Sequence, residues 1–67
     1  MRGGYDLNDL VGAAEISRRL GLASSSVVRD WRRRHPAFPT PVLQLTMGPI
    51  WFWPDVRAWA ASTGRLP

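Results

Sequence analysis

Apolar residues between Ala13 and Leu20 recur at helical spacing, with Ala13, Ile16 and Leu20 on one stripe. Gly21 follows where a helix end needs a residue that accepts positive φ. Leu22 and Ala23 then turn the chain, and the run Ser24-Ser25-Ser26 offers a hydroxyl to cap a second helix. Within that second helix Ser24, Val28, Trp31 and His35 fall on one face, and Ser26, Arg29, Asp30 and Arg33 on the other. The register is open by one residue: the usual spacing after the glycine of a helix-turn-helix buries Val27, whereas the apolar stripe buries Val28 with Trp31. One extra turn residue, Ala23 or Ser24, reconciles the two. Asp30 is placed to pair with Arg34 at i,i+4, and His35 ends the helix before Pro36.

The rest of the chain is built from shorter signals. Met1 to Asp9 has no period and reads as a mobile tail, with Tyr5 and Leu7 the residues able to fold back on a core. Leu10 and Val11 lead into the first helix, with Gly12 near its N-cap and Glu15 in its first turn, where a carboxylate suits the helix dipole. Pro36, Pro39 and Pro41 make PAFPTP a stiff loop, and Phe38 is positioned to plug the edge of the core. A hairpin is predicted from Val42–Leu45 and Ile50–Trp53 around the tip Thr46-Met47-Gly48-Pro49. Alternation along its second arm puts Trp51 and Trp53 inward and Phe52 outward. Pro54 then suits the first position of a third helix, with Asp55 in its first turn, an apolar stripe Val56, Trp59, Ala60, Thr63, and Gly64 at its end. The fold class expected is mainly α with a small β-hairpin: three helices plus a two-stranded wing, a winged helix-turn-helix over residues 10–67 behind a tail of residues 1–9.

Size and composition narrow the function. At 67 residues the chain is one domain near the lower limit for folding without a staple, and it has no cysteine for a disulfide or a thiolate zinc site. Its core must come from large side chains, and four Trp and two Phe can supply it. No apolar run is long enough to span a bilayer and no signal peptide is visible, so a cytoplasmic location is expected, with no membrane partner. Glu15 and His35 stand alone, without a second acid, a nucleophile or further ligands, so neither a catalytic nor a metal site nor a cofactor is expected. Net charge is +4, and every basic side chain is Arg; a GC-rich coding sequence accounts for part of that choice. Placement says more, because Arg29, Arg32, Arg33 and Arg34 fall within six positions, the electrostatic footprint of a nucleic-acid surface.

The motifs AEISRRLGL and SSSVVRDWRRR, then FPTPV, then GPIW followed by PDVRAW, stand in the order found in a known group. In that order and spacing the chain resembles the MerR-like family, which includes AlpA-type regulators and phage excisionases, from Val11 to Leu66. The resemblance implies that the second helix enters the major groove of double-stranded DNA while the wing contacts the flanking backbone. Carried over by position, Ser25, Ser26, Arg29 and Arg33 face base edges or adjacent phosphates, Arg18, Arg19, Arg32 and Arg34 reach phosphates, and Thr46, Met47 and Gly48 form the wing tip. Relatives often carry a basic residue at that tip; this chain has none. With the sequence ending at Pro67, neither an effector domain nor a dimerising helix is expected. The function implied is non-enzymatic: a small transcriptional regulator or an excisionase-like directionality factor, with further copies of itself or a recombinase as partners on DNA. The alternative is a protein-interaction module using Met47 and Phe52 on an exposed wing.

Overall fold

The computed structural model describes residues 6–67. In order these form a 3-10 turn (Leu7–Asp9), β1 (Leu10–Val11), α1 (Ala13–Leu20), α2 (Ser26–Arg34), β2 (Leu43–Leu45), β3 (Gly48–Phe52) and α3 (Trp53–Ser62). Three helices thus surround a three-stranded antiparallel sheet of order β1-β3-β2. The expectation of a two-stranded wing needs correction. Leu10 and Val11, read as a lead-in to the first helix, pair with Phe52 and Trp51 and make a third strand. A two-residue strand has no period to show, and its partner lies about forty residues further along the chain.

That third strand also changes the fate of the aromatic residues. Phe52, expected outside, is half-buried opposite Leu10. Trp51, opposite Val11, is wholly buried. The strand stops at Phe52, so Trp53 does not share its face with Trp51. It opens α3 instead and packs half-buried against the core. Pro54 therefore occupies the second helical position, where its missing N–H still costs no helical bond. At the other end of the hairpin the tip shortens to Thr46-Met47, and Gly48 and Pro49 belong to β3. A proline in a middle strand is normally excluded, but β1 reaches only Trp51 and Phe52. At Pro49, opposite Gln44, β3 is itself an edge.

Glycine-ended turns set the directions of the chain. Gly21 is left-handed (φ 69°, ψ 32°); its N–H reaches the Arg18 carbonyl at 3.4 Å and the Leu22 N–H that of Ser17 at 2.8 Å. Gly64 (φ 72°) repeats the pattern after α3, with Arg65 N–H donating to Ala60 at 2.7 Å. Both are Schellman closures, and each aims the following residue inward. Leu22 packs on the core, and Arg65 lays its guanidinium over Trp31 and Trp59, 5.4 and 4.9 Å from their centroids.

The core comprises Val11, Ile16, Leu20, Val28, Phe38, Trp51, Val56, Trp59 and Ala60. Phe38 lies edge-on to both Trp51 (5.7 Å) and Trp59 (4.9 Å), so the proline loop does plug the core. The Trp51 indole N–H donates to the Pro39 carbonyl at 2.9 Å, which fixes that loop from inside. Residues 7–9, read as tail, form a turn capped by the Asp6 carboxylate, which accepts from Asn8 N–H at 2.9 Å. Leu7 remains 83% exposed and does not fold back; Tyr5 lies outside the described residues.

One core position is imperfect. Ser17 is buried on α1, and its Oγ has no hydrogen-bond partner among the described residues. Removing an unpaired hydroxyl and gaining helix propensity both favour alanine. Ser17→Ala is expected to stabilise by about 1 kcal/mol, which raises the melting temperature by roughly 4–8 °C for a domain of this size. A melt by circular dichroism checks it, and an unchanged or lower midpoint contradicts it.

Candidate nucleic-acid interface

The one-residue ambiguity in the second helix resolves at its start. Ser25 directly precedes α2, but its backbone is already helical and its hydroxyl caps nothing. The capping group is Ser24: its Oγ accepts from Ser26 N–H at 3.3 Å and its carbonyl from Val27 N–H at 3.2 Å. The extra turn residue puts Val28 at 0% exposure and leaves Val27 half-buried. With Val28 and Trp31 inward, the opposite face of α2 turns out.

That outer face is a shallow concavity of about 500 Å³ lined by Ser26, Val27, Arg29, Asp30 and Arg33. A second, of about 200 Å³, runs from α1 to the hairpin and brings Ser25 and Arg29 beside Met47, Gly48 and Pro49. Arg29 thus sits where α2 meets the hairpin turn. It lines both concavities and has no carboxylate partner among the described residues. Met47 projects from the turn, 85% exposed.

The other arginines are held in different ways. Arg33 Nη2 donates to Asp30 Oδ1 at 2.8 Å, and Arg34 Nε forms an ion pair with the same oxygen at 3.1 Å. Exposed pairs of this kind contribute about 0.2–1 kcal/mol, so they orient more than they stabilise. Arg32 leans over the Trp51 ring, its guanidinium carbon 5.8 Å from the centroid, and shares a groove with Arg29, Arg33 and Pro49. Arg19 is the most tethered: it donates to Glu15 Oε2 at 2.9 Å and to the Asn8 carbonyl at 3.3 Å, and stacks over Trp53 at 5.1 Å. The hydrogen bond from Arg19, helped by the charges of Arg18 and Arg19, holds the Glu15 carboxyl below the usual carboxylate range. Arg18 is exposed on the same helix.

No known protein family, characterised protein or solved structure matches this chain.

Of the residues singled out by sequence, Ser26, Arg29 and Arg33 come together on the outer face of α2, and Ser25, Met47 and Gly48 join Arg29 at the hairpin. Arg18, Arg19, Arg34 and Thr46 line neither concavity. Asp30 shares the outer face with the arginines, as its helical position requires, although the pattern of charges alone gives it only a pairing role. Pro49 and Ile50, which line the second concavity with Arg29, have no sequence signal for it, since only the tertiary fold brings α2 and the hairpin to one surface. Among the described residues no group of three His, Asp or Glu side chains is placed to hold a metal ion. No helix among them is long and apolar enough to cross a membrane.

Proposed function

We propose that this protein binds double-stranded DNA with sequence preference, as a winged helix-turn-helix of the MerR-like kind. In this reading α2 enters the major groove and the β2–β3 hairpin lies along the flanking backbone. The observation that carries the reading is the outer face of α2, where Arg29, Arg33 and Ser26 share one exposed surface with the hairpin turn directly beside Arg29. An α-helix fits the width of the major groove, and arginine is the side chain best suited to both guanine edges and phosphates. Arg32 lines an adjoining groove with Arg29 and Arg33, and Arg18 on α1 and Arg34 on α2 are further exposed arginines. The role is that of a small regulator or an excisionase-like factor, acting with further copies on adjacent sites or with a recombinase. A footprint separates them: tandem sites beside an integrase site favour the second, and a single promoter operator the first.

Salt dependence is the first test. With about four to six phosphate contacts, log K for duplex DNA is expected to fall against log salt with a slope of roughly −4 to −5. A slope near zero between ~50 and 200 mM salt, measured by fluorescence anisotropy, rules this binding mode out.

A second reading has one observation in its favour. Leu43, Leu45 and Met47 are exposed together on β2 and its turn, whereas Phe52, expected among them, is half-buried. An apolar patch there suits a protein partner. Binding to such a partner that is insensitive to salt, with no shift of any DNA, is the result that would favour it.

A further inference from the structure

The geometry points to Asp30 as a specificity-determining residue that reads a cytosine and suppresses binding to every other sequence; this rests on the DNA-binding reading of α2. Asp30 is the only acidic residue between Glu15 and Asp55, and it stands amid the arginine cluster rather than apart from it. Its side chain, 36% exposed, lines the outer concavity together with Ser26, Arg29 and Arg33. Both arginine contacts fall on Oδ1, a hydrogen bond from Arg33 at 2.8 Å and an ion pair with Arg34 at 3.1 Å. Oδ2 accepts no hydrogen bond from the described residues.

A carboxylate on a face that approaches DNA is repelled by the phosphates whatever the sequence. It also competes with them, because Oδ1 occupies a donor of Arg33 that a phosphate would otherwise receive. Only one kind of base edge in the groove repays this: an amino group, above all the cytosine N4, which a carboxylate accepts from. Arg33, tied beside it, presents donors to a neighbouring guanine O6 or N7. Asp30 therefore costs affinity on every duplex and recovers it only at sites with a cytosine in register, which is discrimination by repulsion as much as by attraction.

Asp30→Asn removes the charge at nearly constant shape, and Asp55→Asn, in the first turn of α3, is the charge-matched control. Binding sites are selected from a random duplex pool with the parent protein and both variants, and affinities are then measured on the parent's selected site and on a scrambled duplex. The parent and Asp55→Asn are expected to select one invariant cytosine that Asp30→Asn no longer requires. Asp30→Asn is expected to bind the scrambled duplex several-fold more tightly than the parent, and to lose about ten-fold in the ratio of selected to scrambled affinity. Its salt slope on scrambled DNA should steepen by about one as a freed arginine reaches a phosphate. Tighter binding cannot come from unfolding, so this gain, if absent from Asp55→Asn, is diagnostic.

An unchanged selected sequence and ratio in Asp30→Asn overturns the inference while the DNA reading stands. Equal changes in Asp55→Asn reduce it to an effect of net charge and overturn it too. If the parent binds no duplex at all, the DNA reading fails and takes this inference with it.

Discussion

Trp51→Ala is expected to leave the protein largely unfolded at physiological temperature. Trp51 is wholly buried, sits in the middle strand opposite Val11, meets Phe38 edge-on, and anchors the proline loop through its indole N–H to Pro39. Truncating a buried tryptophan costs about 3–5 kcal/mol, and the lost anchor leaves the Pro39 carbonyl to find another partner. A chain of 67 residues has only about 3–10 kcal/mol in all. Trp59→Ala belongs to the same class, since Trp59 packs against the rings of Trp31, His35 and Phe38 and under the Arg65 guanidinium. Urea titration followed by circular dichroism measures both. Transitions that superpose on that of the parent would show that the core does not depend on these rings.

The second large effect concerns discrimination rather than stability. Arg29→Ala is expected to lose about 1–3 kcal/mol on the preferred site and to narrow the gap to scrambled DNA, the signature of a base-reading arginine. Arg34→Ala, on the flank of α2 and turned to Asp30, is expected to weaken both duplexes and leave their ratio nearly unchanged. Both variants are measured on selected and scrambled duplexes at one salt concentration. If Arg29→Ala leaves the ratio intact, or if the two variants reduce it equally, Arg29 does not read a base. Because Val28 is buried and Val27 is not, a shift of the helix by one residue is no longer available to explain such a result.

The helical parts of this fold are legible because their signals are local. The stripe Ala13, Ile16, Leu20 is written in the order of the residues, and so is that of Val56, Trp59, Ala60. The glycines that close them need only their own backbone freedom, as at Gly21 and Gly64. The split of α2 into an apolar and a charged face follows from the same period, so spacing alone groups Ser26, Arg29, Asp30 and Arg33. Asp30 with Arg34, four residues apart, is likewise readable from spacing. The hairpin is legible in outline, but its turn is two residues shorter than its Gly-Pro suggests, because β1 leaves the start of β3 unpaired on that side.

Other features depend on residues far apart in the chain. β1 exists because Leu10 and Val11 find Phe52 and Trp51, a pairing that no two-residue segment can announce. That pairing covers Phe52, and the end of the strand after it turns Trp53 into the start of α3. Ser24 rather than Ser25 caps α2, since three adjacent serines have equal claims and the buried position of Val28 selects one. The meeting of Arg29 with Met47 and Pro49 depends on how the hairpin packs beside α2. The order of residues was enough to specify the helices, their faces and the concentration of arginine on one of them, because periodicity and charge are properties of neighbours. The third strand, the partners that hold each arginine and the surface that Arg29 shares with the hairpin came from the folded chain, because they rest on contacts between segments that no local pattern encodes.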